Sequence, residues 1–546
     1  MMELQEDEEL QDAEIEEEQR VIRELGGVCQ GYDGPDTIVN IAQTPSQLFK
    51  RIAEGAKYKF FDYKAMQWIA CNLQYNFSLA HSLRRWAIFE QVQNAITNLS
   101  RINAITAEGD VWRAKFKNIS DFILLKTSKS QSDDAHMYHE FFVGSLFTNN
   151  LRQWIPHFMF VYAIFKCSRP RFAGNNRTDS VSFCEYSTVS DLNDILTPEE
   201  RQNLKEYERL IKMYDRTGRY AEAQEIEDKL EAFTVISENY LDNPINYIVI
   251  ENIEGGLGLN EHIRRDKPPF HEILGHLLQL TSALEMALEQ FDFCHYDMHS
   301  GNVLMRPIKA TNNKRTFVPV GYEKPNQARY FVESNYIPTI IDYSRCHVKR
   351  RAGLARRTVD HGNHLLKEFG IYADRSRPIY DLYKLVGFVT MDILHRYNPK
   401  IRNPSSLVPS RQRTIVGGVT TTDDNLAIAQ ETASRISNED FYNIVRLWNF
   451  FPFFRSLFEF TLLGSTADKV KPIFFILEES SLSRFNIENK WEEAERYPLK
   501  NDIYAKFTGY LMDAFPKEVQ KVLFREDQLP PLQSIFISSC DFNNCQ

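Results

Sequence analysis

The sequence predicts an α+β protein, a small antiparallel sheet followed by a larger helical part, and three stretches carry that reading. Between residues 101 and 126 the runs "RINAIT", "VWRAKF" and "DFILLK" are separated by "AEGD" and "KNIS". Apolar alternation broken by turn residues at this spacing is the pattern of an antiparallel meander. Residues 271–291, "HEILGHLLQLTSALEMALEQF", carry apolar residues three and four apart and predict a long amphipathic helix. Helical patterns recur through residues 401–546.

The elements follow in order. Residues 1–24 hold a dense run of Glu and Asp that reads as a mobile acidic arm. Residues 25–100 form a helical N-terminal extension, with aromatic and aliphatic residues at helical spacing from Gln47 to Asn98. Residues 101–253 make the sheet-bearing part: the meander, a helix from about Asp134 to Thr148, a strand in "FMFVYAIFKC" and another in "NYIVIENI". A helical insertion at 170–240 interrupts it, opened by Thr197, Pro198 and Glu200 as N-cap, first-turn proline and capping-box acid. Residues 254–400 continue with the long helix, and 401–546 complete or extend the helical part.

Composition narrows the function classes. Of 546 residues, 43% are hydrophobic and 25% charged, ordinary for a globular chain. The net charge of −10 comes largely from the acidic arm, so a general nucleic-acid surface is not expected. Eight scattered cysteines without a CxxC pair fit reduced thiols and an intracellular, cytoplasmic setting. The acidic start does not read as a signal peptide, and "PHFMFVYAIF" is about half the length a membrane span requires.

Chemistry concentrates in "DFCHYDMHSGNVLM", residues 292–305. His295 and His299 are four apart, the spacing of a zinc pair on a helix, but Asp297 lies between them. "HEILGH" has one residue too many for a zincin, since histidines five apart point about 140° apart around a helix. "GGLGLN" from Gly255 lacks the third glycine of a dinucleotide loop and reads as a linker. "HGNH" at 361–364 has no further ligands nearby and reads as loop.

The first stretch also fits H-x-D-x-x-x-x-N through His295, Asp297 and Asn302. A carboxylate there can orient the proton of an attacking hydroxyl, and an amide five residues on can reach a magnesium ion. Forty residues later "TIIDYSR" is an apolar strand ending in Asp342, the second oxygen ligand that such a site needs.

On these residues the chain resembles the protein-kinase-like superfamily over roughly residues 101–390. "HYDMHSGN" looks like the catalytic loop and "DYS" like DFG. The resemblance implies a two-lobed fold, with a small ATP-binding lobe at 101–253 and a large helical lobe from 254. It makes Lys126 of "FILLK" the phosphate-binding lysine and Glu140 of "YHEFFVG" its helix partner. It also aligns Gly109 and Val111 with the Gly-rich loop, Glu251 and Ile253 with the adenine-binding hinge, and Asp381 of "PIYDLYKL" with the aspartate that anchors the catalytic loop. Asp297 becomes the catalytic carboxylate, Asn302 and Asp342 the magnesium ligands, and MgATP the cofactor. His295 reads as a packed structural histidine.

Departures qualify the acceptor. Ala104 and Thr106 replace two loop glycines, and Ser344 replaces the glycine of DFG. Tyr296 stands for the usual arginine, so no guanidinium is available there to grip a phosphorylated activation loop, and activation by loop phosphorylation is not expected. His299 stands where protein-serine kinases carry lysine, as in aminoglycoside- and choline-kinase-like relatives. The wider pattern looks most like the divergent serine/threonine-kinase-like proteins of large DNA viruses. That implies a protein substrate and a place in host cytoplasm or virion, among other viral proteins. A pseudokinase scaffold and a small-molecule kinase are the alternatives. The acidic arm and the basic run "SRCHVKRRAGLARR" from Ser344 read as two solvated surfaces, with the arm occupying an acidic-substrate site in cis as the alternative.

Overall fold

A computed structural model of the chain describes residues 96–102, 109–116, 123–128, 134–152, 155–167, 209–211, 213–214, 245–253, 255–307, 318–323, 330–348, 376–401, 422–451, 466–481, 502–524 and 535–538. The acidic arm, nearly all of the helical extension and of the 170–240 insertion, the basic run beyond Val348 and "HGNH" lie outside the described residues. The chain divides into two compact units, Met1–Phe141 with Val161–Asn252, and Phe142–Phe160 with Ile253–Gln546.

The first unit is a five-stranded sheet of β1 (Ile96–Ile102), β2 (Gly109–Phe116), β3 (Ile123–Ser128), β4 (Val161–Cys167) and β5 (Ile245–Glu251), in the order β1-β2-β3-β5-β4. Every neighbouring pair is antiparallel. Strand β3 is central, and alternation buries Ile123, Leu125 and Thr127 on one face. Its other face carries Lys126. Helix α1 (Asp134–Val143) follows; from Phe142 the chain belongs to the second unit, where the helix continues through a widened turn at Gly144–Thr148 into α2 (Asn149–Arg152).

Strand β1 corrects the expectation of helix up to Asn98. Ile96, Leu99 and Ile102 are spaced by three, which mimics a helical stripe. The pairing with β2 wins, and a register shift between Thr97 and Ser100 absorbs the extra residue as a bulge does.

The second unit is helix-rich with two small sheets. Strand β6 (Leu257–Gly258) is followed by the short α3 (Leu259–Glu261) and the long α4 (Phe270–Phe291). Helix α4 ends at Asp292, whose φ of 52° closes it in the left-handed conformation that Asp tolerates. Then come β7 (Val303–Pro307), β8 (Val318–Glu323), β9 (Tyr330–Ser334) and β10 (Tyr336–Ile340). Among the described residues the helices α5 (Pro378–His395), α6 (Thr422–Arg435), α7 (Asn438–Trp448), α8 (Thr466–Ser481) and α9 (Ile503–Ala514) come next. Helix α5 starts on a first-turn proline and is buried through most of its length, as a core helix must be.

"GGLGLN" is no nucleotide loop. Gly255 has a φ of 70°, and a Cβ on Gly256 would lie 2.8 Å from the Ile253 carbonyl oxygen, so the glycines make a tight turn that feeds β6 onto β7. The C-terminal part also departs from an all-helical expectation. After the short α10 (Pro516–Val519), β11 (Leu523–Phe524) pairs with β9 and β12 (Ile535–Ser538) runs parallel to β8, giving a sheet ordered β11-β9-β8-β12. "SIFIS" alternates too briefly to outweigh the helical neighbourhood when read locally.

The helical core centres on Trp448, fully buried against Tyr383, Phe451 and Phe475, with its indole N–H donating to Thr390 Oγ1 at 3.2 Å. Trp448→Ala removes a large side chain from a packed site, so chemical denaturation should show a loss of about 3–5 kcal/mol.

Candidate functional site

In the first unit, alternation along β3 turns Lys126 toward α1. Its Nζ donates to Glu140 Oε2 at 2.6 Å, and both side chains are buried. Such a pair is costly to bury and more costly to break, since either partner alone would leave an uncompensated charge. Val111 of β2 lies directly opposite Lys126, and Gly109 opposite Ser128. Ala104 and Thr106 lie outside the described residues. Glu251 closes β5 opposite Ile123 and is buried, as is Ile253 at the start of the second unit.

In the second unit the segment Phe293–Asn302 is organised from its backbone outward. Asp381, fully buried in the first turn of α5, accepts from the His295 N–H through Oδ2 and the Tyr296 N–H through Oδ1, each at 2.7 Å. The Tyr504 hydroxyl of α9 donates to Oδ2 at 3.1 Å. Burial raises the Asp381 pKa, and His295 and these hydrogen bonds oppose the rise. The pinned turn leaves Tyr296 at a φ of 58°. For a bulky aromatic residue that is strain, retained because two hydrogen bonds fix it.

His295 is packed as the sequence implies. Its Nδ1 accepts from the Asp297 N–H at 3.3 Å, which puts the proton on Nε2, 3.0 Å from the Ile341 carbonyl oxygen. Strands β7 and β10 pair from Tyr336 opposite Pro307 to Ile340 opposite Val303. The ladder is extended when Ile341 N–H donates to the Asn302 carbonyl at 3.0 Å. Asp342 therefore follows directly beside Asn302, at a φ of 64°.

Asn302 stands on a 3₁₀ turn, Ser300–Asn302, and its Nδ2 donates to the Asp297 carbonyl at 3.0 Å. With the nitrogen used there, Oδ1 is the end left for a hard cation. Together with the Asp342 carboxylate, that oxygen donor set suits magnesium. Among the described residues no cluster of three or more His, Cys, Asp or Glu can hold a metal alone. His276 of "HEILGH" lies buried against His262 and Tyr336, its pKa pushed down to about 3 by burial.

Asp297 is charged and held. Lys384 of α5 donates to its Oδ1 and to the Tyr296 carbonyl at 3.2 Å, and its ammonium sits 5.5 Å from the Tyr380 ring centroid. Arg345 Nη1 and His299 Nε2 lie 4.0 and 3.8 Å from Oδ2, beyond hydrogen-bond range. Burial alone would raise the Asp297 pKa, but Lys384, then Arg345 and His299, hold it well below the carboxylate range. Arg345, from the turn after Asp342, brings a guanidinium toward this aspartate from outside the loop. His299 is neutral at ordinary pH: Nδ1 accepts from the Gly301 N–H at 3.0 Å, and burial pushes its pKa down to about 4.

Sequence reasoning passed over Lys384 and Arg345. Lys384 was within reach of it, since residues three apart on a helix share a face and Lys384 follows Asp381 by three. Arg345 had no comparable signal, because its approach depends on the turn after Asp342.

One unit joins a sheet-borne lysine to a helix glutamate, and the other holds an HxD loop pinned by a helix aspartate beside a strand-end aspartate, the residue types that the resemblance to the kinase-like superfamily implies. No family model matches the chain. It is similar to "Probable kinase 098L" of Invertebrate iridescent virus 3, with 27% identity over 154 residues. The match covers 28% of this chain and 26% of that protein, about a quarter of the relative's length. A solved structure of "WaaP in complex with acyl carrier protein" also matches, at 9% identity over 64% of this chain and 92% of that one. Its TM-score is 0.22, too low to define a fold. Among the described residues no helix is long and apolar enough to cross a membrane.

Two measurements check this geometry. Asp381→Asn replaces an acceptor oxygen by a donor facing an N–H, and thermal or chemical denaturation should show a loss of about 1–3 kcal/mol. The unfolded chain protonates His299 near pH 6.5 and the folded chain only near pH 4, so its folded form resists protonation and contributes stability that is lost as pH falls through that window. NMR titration should find the imidazole neutral at about pH 5.5; a midpoint near the ordinary histidine value of about 6.5 contradicts the assignment.

Proposed function

We propose that the protein is an ATP- and magnesium-dependent phosphotransferase, a divergent serine/threonine protein kinase of viral type. The observation that supports this is the Ile341 to Asn302 hydrogen bond, which sets Asp342 one residue beyond the partner of Asn302, itself bonded to the Asp297 carbonyl. The similarity to a probable kinase of an iridescent virus supports the viral reading.

In this reading Lys126 contacts the α- and β-phosphates and Glu140 fixes the lysine. Gly109 and Val111 cover the phosphates from β2, and the backbone at Glu251 and Ile253 receives adenine. Asn302 and Asp342 hold magnesium, which when bound neutralises charge on the phosphate oxygens. Asp297 orients the acceptor hydroxyl through Oδ2, because Oδ1 is engaged by Lys384. Catalysis on such a site is positioning and charge neutralisation, without a covalent intermediate. The acceptor is a serine or threonine of a protein, in host cytoplasm or virion.

The test incubates the protein with magnesium, γ-labelled ATP and a panel of hydroxylated peptides, choline and aminoglycosides, beside an Asp297→Ala, Asp342→Ala double variant. Label should pass to a peptide, and the variant should lose at least about 100-fold. Transfer to the small molecules alone overturns the protein-kinase reading. Equal transfer by both proteins, or none by either, overturns phosphotransfer and leaves a scaffold.

A further inference from the structure

The cation nearest Asp297 comes from α5, not from the loop that carries the aspartate. Lys384 is buried, and both of its described hydrogen bonds go to the loop, to Asp297 Oδ1 and the Tyr296 carbonyl, while its ammonium lies over the Tyr380 ring of its own helix. An ammonium has three donors and no acceptor, so it can bind two oxygens at once and still present charge to a ring face. Both oxygens belong to consecutive residues of the strained turn at Tyr296. A buried lysine spent on one turn is expensive unless its charge has a use there.

The loop itself offers no charge in that place. His299 Nε2 is the loop atom that approaches Asp297 Oδ2, at 3.8 Å, and the ring is fixed by the Gly301 N–H on Nδ1 and by Phe388 of α5 at a centroid distance of 5.3 Å. A ring that accepts on Nδ1 and carries its proton on Nε2 is neutral. Arg345 is more exposed and stands 4.0 Å from the same oxygen, without a hydrogen bond to it. Among the described residues, Lys384 is the one that hydrogen-bonds the Asp297 carboxylate from a charged side chain.

We infer that Lys384 is the positioning cation of phosphoryl transfer, fixing Asp297 through Oδ1 so that Oδ2 faces the acceptor hydroxyl, and supplying from α5 the positive charge that the loop lacks. The inference rests on the phosphotransferase reading. Its consequence is a division of labour along one helix face. Asp381 holds the loop backbone by its first two N–H groups, and three residues later Lys384 holds the loop's side chain. A carboxylate brought toward phosphate oxygens repels them, and a bound ammonium offsets that repulsion where it develops.

The test compares Lys384→Met and Lys384→Gln with the wild type in steady-state kinetics, each variant's fold checked by its thermal transition. Methionine keeps the apolar stem, and glutamine keeps hydrogen bonding without charge, so the second serves if the first does not fold. Loss of the positioning cation should lower kcat by about 100-fold and leave KM for MgATP within about 3-fold. Adding His299→Lys places an ammonium beside Asp297 Oδ2 and should restore at least about 10-fold in either background. A merely structural role would not be mended by a charge at residue 299.

Wild-type kcat in a folded Lys384→Gln variant overturns the inference and leaves the phosphotransferase reading intact. So does a loss that His299→Lys does not mend. A wild type no more active than Asp297→Ala overturns the reading and the inference together.

Discussion

A single buried carboxylate sets the geometry of the second unit's chemistry. Asp381 takes the N–H groups of His295 and Tyr296, both at 2.7 Å, and no other described contact pins the backbone at these two residues as tightly. Charge-assisted hydrogen bonds of this length are about twice as strong as neutral ones. They offset the cost of burying the charge and hold Tyr296 in a left-handed conformation that its side chain disfavours. Asp297, His299 and Asn302 all lie within a few residues of that turn.

From the pinned turn the rest follows by short steps. Asp297 leaves it with its carbonyl toward the Asn302 amide and its carboxylate toward Lys384. The loop then enters β7, whose pairing with β10 delivers Asp342 beside Asn302. A second buried acid on α5, Asp392, ties the same loop from its other end through Ser300 and is itself paired with Arg264. One helix thus grips the loop at residues 295–297 and again at 300.

How much of this the sequence disclosed depended on distance along the chain. Asp297 and Asn302 are five apart and Asp342 ends an apolar strand, so local spacing and alternation sufficed. The Lys126 and Glu140 pair is separated by 14 residues and announced by a strand followed by a helix. Lys384 reaches Asp297 across 87 residues, and Tyr504 reaches Asp381 across 123, separations over which no sequence period operates. The fold shows the same limit. The central strands and α4 were legible from their periods, while β1 hid behind a three-residue spacing, and β11 and β12 depend on partners some two hundred residues earlier.

The chemistry of the second unit therefore turns on whether the loop is held from α5 in solution. Amide hydrogen exchange followed residue by residue reads this directly. The His295 and Tyr296 amides should exchange as slowly as those in the middle of α5, because their N–H groups are closed off by a buried carboxylate and open only with the unit as a whole. Exchange of both at the rate of an exposed loop, while α5 stays protected, would contradict it.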